Sequence, residues 1–129
     1  MDNAKILVVE DENVVALEIK KRLTRLGYVV PSVAASGKEA ISKAKGFLPD
    51  LILMDIRLKG EMDGIEAAQE IWTQLGIPVI YLTAHSDDET LKRAKQTNPY
   101  GYVLKPFEEE DLRAVIEVAL YRCQKEACE

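Results

Sequence analysis

The sequence has no apolar stretch near the roughly 20 residues that cross a bilayer, which excludes a membrane-spanning helix. It has no Lys/Arg cluster, and its formal net charge is −5, a balance that argues against direct nucleic-acid binding. Internal repeats and low-complexity linkers are missing, so its 129 residues read as one domain with a real core. Cysteine is confined to Cys123 and Cys128. Five apart on a helix, they point to different faces, which suits neither a disulfide nor a metal pair. Free thiols of a reducing compartment are the reading. Met1-Asp2-Asn3-Ala4-Lys5 runs straight into the first apolar run, so the expectation is a cytoplasmic protein without a signal peptide.

What is present is a set of short apolar runs, each stopping at a polar residue able to do phosphate chemistry. Ile6-Leu7-Val8-Val9 meets Glu10-Asp11, and Leu51-Ile52-Leu53-Met54 meets Asp55. Val79-Ile80-Tyr81-Leu82 meets Thr83, and Tyr102-Val103-Leu104 meets Lys105-Pro106. Such runs between amphipathic helices read as buried parallel strands. A further strand is expected over Tyr28-Val29-Val30-Pro31-Ser32-Val33, at a sheet edge because Pro31 lacks a donor.

Between the strands, Val15, Ile19, Leu23 and Leu26 recur at helical spacing before Gly27. Ser36 and Glu39 form a capping-box pattern, followed by an apolar face of Ala40, Ile41, Ala44 and Phe47. A third helix is expected from about Gly64 to Leu75. A fourth opens at Ser86-Asp87-Asp88-Glu89, where acids oppose the helix dipole. A fifth starts near Glu108 with Leu112, Val115, Ile116, Ala119 and Leu120 on its apolar face. Strands alternating with helices predict an α/β parallel sheet covered on both faces. The last helical pattern has no stop signal after Tyr121, and continuation into a C-terminal region is one of two open readings.

Ligands of such sheets bind at the carboxyl ends of the strands. Glu10, Asp11 and Asp55 would meet there, and two carboxylates about 4 Å apart repel by roughly 4 kcal/mol at an effective dielectric near 20. Mg²⁺ (or Mn²⁺) is the natural neutraliser, taking oxygens from carboxylates, waters and a phosphate. Asp55 directly follows a buried strand and is the best nucleophile, since carboxylates do accept phosphoryl groups. Lys105 supplies a compact positive charge and Thr83 a hydroxyl for the phosphoryl oxygens.

Taken together, Leu7-Val8-Val9-Glu10-Asp11-Glu12, Leu53-Met54-Asp55, Met62-Asp63-Gly64, Leu82-Thr83-Ala84 and Lys105-Pro106-Phe107 resemble the receiver domains of two-component response regulators. The likeness covers about residues 4 to 122. It implies a doubly wound, flavodoxin-like five-stranded parallel sheet in the order 2-1-3-4-5 with five helices, an order known for a chemotaxis member of this family. It also implies a phosphorelay role, in which Asp55 takes a phosphoryl group from a sensor histidine kinase or a histidine phosphotransfer protein.

By the same resemblance, Asp11, Asp55 and the backbone carbonyl of Arg57 would ligate the metal, with Glu10 acting through water. Lys105 would contact the phosphoryl group, and the Lys105-Pro106 bond would be cis. Thr83 and Tyr102 match the switch pair, which would remodel the surface of helix 4, strand 5 and helix 5 toward a downstream output domain or protein. Arg57 and His85 stand two residues past Asp55 and Thr83, at positions that tune phosphoryl lifetime in the family. The loop from Asp55 to Gly64 is one residue longer than in chemotaxis-type members and lacks their proline. Most of the last helix's apolar stripe reads as core, with a homodimer through helix 4, strand 5 and helix 5 as the alternative use.

Three rival readings fare worse on these residues. A phosphatase of the haloacid dehalogenase type needs an acid two residues past its nucleophile, and position 57 is Arg. Flavodoxin-like cofactor binding needs a Ser/Thr/Gly-rich loop where Glu10-Asp11-Glu12 would repel phosphate. A phosphate-independent interaction module usually lacks one of the acids, the Asp or the Lys, and this chain keeps them all.

Overall fold

Strand runs that are apolar at every position need both faces covered, and the computed structural model, which describes residues 3–58, 60–84 and 88–127, covers both. The element order is β1 (Ile6–Val9), α1 (Asn13–Arg25), β2 (Val33–Ala34), α2 (Gly37–Phe47), β3 (Leu51–Asp55), α3 (Gly64–Leu75), β4 (Val79–Thr83), α4 (Asp88–Lys95), β5 (Gly101–Leu104) and α5 (Glu109–Ala127). All strands pair in parallel, in the order β2-β1-β3-β4-β5. The doubly wound sheet expected from the alternation is the fold observed.

The two-residue period of each strand divides the core into two layers. Leu7, Val9, Ile52, Met54 and Tyr81 face α2 and α3, meeting Ala40, Ala44, Ala67, Ala68 and Ile71. Ile6, Val8, Leu51, Leu53, Ile80 and Leu82 face the other way, onto Ile19 and Leu23 of α1 and Leu112, Ile116 and Ala119 of α5.

Several local expectations need correction. The second strand is not continuous from Tyr28: Val29 bridges Lys5, and only Val33–Ala34 forms a true strand. Pro31 lies between the two pieces and has no N–H to give the ladder, which splits the pairing there. Phe47 is exposed rather than part of the α2 face. Ser36 caps α2 by accepting from the Glu39 amide at 3.1 Å. Glu39 does not complete the box, however, because its carboxylate goes to Lys43 at 2.9 Å. The reciprocal capping box belongs instead to α3, between Asp63 and Glu66. β5 is not a fully buried strand: it ends the sheet, and only Val103 of its four residues is buried.

Candidate functional site

β1 and β3 are neighbours in register, Val9 opposite Met54, so the residues just beyond them emerge side by side. Glu10, Asp11 and Asp55 each present a carboxylate oxygen, all within 4.8 Å of one another. Glu10 is 3% and Asp55 7% exposed. Lys105 reaches in from the end of β5 and places its ammonium 3.2 Å from Glu10 Oε1 and 3.2 Å from Asp55 Oδ2.

Each of the two buried acids has a second, backbone donor. Glu12 N–H donates to Glu10 Oε2 at 3.1 Å, and Arg57 N–H to Asp55 Oδ1 at 3.0 Å. Burial still dominates at Glu10. With the charge of Asp55 adding to it, and the Glu12 amide and Lys105 pulling the other way, the Glu10 carboxyl is pushed up to about 7. For Lys105, burial pulls the ammonium down, but Asp55 and Glu10 together outweigh it and the net shift is upward.

This donor set fits a hard divalent cation. Three carboxylates converge, and the one between burial and a like charge is held near neutrality, a strain that added positive charge relieves.

The remaining predicted residues fall around this centre. Thr83 ends β4, buried, with its hydroxyl donating to the Ala84 carbonyl at 3.1 Å. Its own carbonyl accepts from Lys105 N–H at 2.8 Å, which ties β4 to the lysine turn. Tyr102 pairs opposite Tyr81 and is 39% exposed. By the alternation of side chains it shares a sheet face with Thr83, two register positions away. The Arg57 side chain is exposed. The Lys105-Pro106 bond is cis, the isomer implied by the resemblance. His85 lies outside the described residues.

Three positioning residues had no site role read from the sequence: Gly64 and Asp63 stood in a motif of the resemblance, and Arg93 in none. Gly64 opens α3 directly against β3: a Cβ there would lie 2.1 Å from the Asp55 carbonyl oxygen. Asp63, the α3 cap, also accepts from Arg93 of α4 at 3.2 Å, linking α4 to the loop that follows Asp55. The motif Asp-x-x-Glu before an apolar helix was the available signal for that cap. Arg93 carried none, being 30 residues away in sequence.

The response regulator receiver domain profile matches residues 6–117 of the chain. The chain belongs to the response regulator receiver family. Among its relatives, the transcriptional regulatory protein PdtaR of Mycobacterium tuberculosis is 35% identical over 118 residues, covering 92% of this chain and 57% of that protein. The transcriptional regulatory protein ZraR of Escherichia coli K12 is 38% identical over 120 residues, covering 92% of this chain and 27% of that protein. The receiver domain thus spans little more than half the length of the first and about a quarter of the second. Among solved structures, the signal receiver domain of a modulated diguanylate cyclase from Desulfovibrio desulfuricans G20 superposes with a TM-score of 0.91 at 38% identity, over 97% of this chain and 99% of that one. The N-terminal domain of a response regulator/sensory box/GGDEF protein from Carboxydothermus hydrogenoformans does so with a TM-score of 0.87 at 38% identity, over 95% and 98%. Among the described residues, no helix is long and apolar enough to cross a membrane.

Proposed function

We propose that this receiver domain is a cytoplasmic phosphoacceptor switch whose acceptor is Asp55. The observation that carries the reading is the Lys105 ammonium, standing 3.2 Å from both Glu10 and Asp55 at the mouth of the acid cluster. A structural ion pair would need one carboxylate; this lysine serves two that repel each other.

In the proposed reaction an Asp55 carboxylate oxygen attacks phosphorus. The bond from phosphorus to the donor's imidazole nitrogen breaks, its electron pair leaves with the imidazole, and an acyl phosphate remains. Glu10, Asp11, Asp55 and the Arg57 carbonyl would hold Mg²⁺ (or Mn²⁺), which when bound supplies charge neutralisation for the phosphoryl oxygens. Lys105 holds the other side of the transferred group, and Thr83 turns its hydroxyl from Ala84 toward a phosphoryl oxygen. Phosphorylation adds about −1.5 to −2 charge and strong acceptor oxygens. That gives Thr83 a differential contact, without which no conformational change follows. Tyr102 then moves inward and alters the surface of α4, β5 and α5. Arg57 and His85 tune how long the acyl phosphate survives.

The whole chain acts as one receiver unit. A sensor histidine kinase or histidine phosphotransfer protein supplies the phosphoryl group. An output domain or separate protein reads the altered surface, and a homodimer through α4, β5 and α5 is one form that reading takes. The relatives named as transcriptional regulatory proteins are longer chains, which is in keeping with output lying outside this unit.

The test is intact mass after incubation with acetyl phosphate and Mg²⁺. One phosphoryl adduct is expected, requiring Mg²⁺ and missing in Asp55→Asn. An unlabelled wild-type chain that also fails to bind beryllofluoride would leave a phosphate-independent interaction module as the better reading.

A further inference from the structure

The turn that carries Lys105 is gripped from outside the acid cluster as well as within it. Arg22, in the last turn of α1 and 85 residues away in sequence, donates from Nη1 to the Phe107 carbonyl at 2.9 Å. Its guanidinium also lies over the Phe107 ring, 5.5 Å from the ring centre. Glu18, one helical turn back, accepts from Arg22 Nε at 3.2 Å, so the planar group is already oriented as it reaches across. A guanidinium can use its edge and its face at once, and an ammonium cannot. The Arg22 side chain is only 25% exposed, which spares these contacts much of the screening that weakens surface pairs.

Phe107 stands two residues beyond Lys105 and two before the first residue of α5. α1, for its part, descends from Glu10 and Asp11. Arg22 therefore makes a second bridge between the same two chain segments that Lys105 and Glu10 join at the site. The lysine side chain is a flexible four-carbon stem, and its charge can be aimed only as well as its backbone is held.

We propose that Arg22 is a positioning residue for phosphoryl transfer: by holding the Phe107 carbonyl and ring, it fixes the turn from which Lys105 reaches the group arriving at Asp55. This rests on the phosphoacceptor reading above. Arg25 provides the internal comparison. It donates from Nε and Nη2 to Glu109 Oε1 at 3.0 and 2.8 Å, but that pair is exposed and ends on a side chain rather than on the turn's backbone.

The experiment uses the full chain with acetyl phosphate, follows the adduct by intact mass, and measures Mg²⁺ affinity separately by calorimetry. Arg22→Met keeps the helix propensity and the apolar stem while removing the donors. Arg22→Lys keeps the charge and loses the fork. Both are expected to lower the maximal labelling rate about 5- to 20-fold, the scale of a small misplacement of a reacting group. Mg²⁺ affinity should stay within about two-fold of wild type, because the three carboxylates are untouched, and Arg25→Met should label at the wild-type rate. Wild-type labelling in Arg22→Met, full restoration by Lys, or a loss of Mg²⁺ affinity parallel to the loss of rate would each overturn the proposal. A wild-type chain that never labels would instead remove the phosphoacceptor reading, and this proposal with it.

Discussion

β3 and β5 each deliver one charged residue to the same site, yet they are built in opposite ways. All five residues of β3 are buried, with β1 along one edge and β4 along the other. Among the described residues β5 has a neighbour on one edge only, and Tyr102 and Leu104 remain 39% and 48% exposed. A strand enclosed on both edges and both faces gives Asp55 a single position. A strand held on one edge leaves its outward residues free to answer what happens beside it. Close confinement and partial exposure fall to different strands, as expected where local stability is uneven.

The sharpest way to break the contrast is at Gly64, where an added methyl would meet the Asp55 backbone at 2.1 Å. Neither a strand end nor a helix start can step aside easily, so Gly64→Ala should cost about 4 kcal/mol in urea unfolding and displace Asp55. Truncations on the two strands should then separate them. Leu53→Ala, fully buried on β3, is expected to lose about 3 kcal/mol. Leu104→Ala, half exposed on β5, should lose about 0.5 kcal/mol. Similar losses at the two positions would mean that the strands are equally well held.

An effect between the two truncations in size concerns charge. Folded Glu10 keeps its proton up to about 7 against an ordinary value of 4.5, so the metal-free folded state binds more protons than the unfolded chain across that window. Stability should therefore fall as pH rises through it and level off above. Glu10→Gln should flatten this slope and add on the order of 1–2 kcal/mol at pH 8, measured by urea unfolding at a series of pH values.

Much of this arrangement could be read before the fold was seen, for definite reasons. β1, β3 and β4 are apolar up to their last residues because two helical layers cover them, and a half-exposed strand would alternate instead. Asp55 and Lys105 stood out because each breaks such a run at its carboxyl end. β2 was overextended because Val29 and Val30 have strand character, and only the sheet context shows that Pro31 divides the ladder. Phe47 was misplaced for a similar reason: at the last position of α2 the helical period still points inward, but the helix is already leaving the core. Arg22 and Arg93 were invisible because their partners lie 85 and 30 residues away, and no local pattern encodes such distances.

One consequence follows from the order in which the site's charges are made. Lys105 is synthesised 50 residues after Asp55 and 95 after Glu10. A ribosome that has completed β4 has therefore produced all three carboxylates and the strands that bring them together, but no lysine to answer them. Domains generally fold as units, and this one lacks a sheet edge and a charge until β5 is made. The arriving β5 thus does more than finish the sheet: it delivers the counter-charge that lets the first and third strands settle side by side. A divalent cation held by the same three carboxylates would supply that counter-charge by another route.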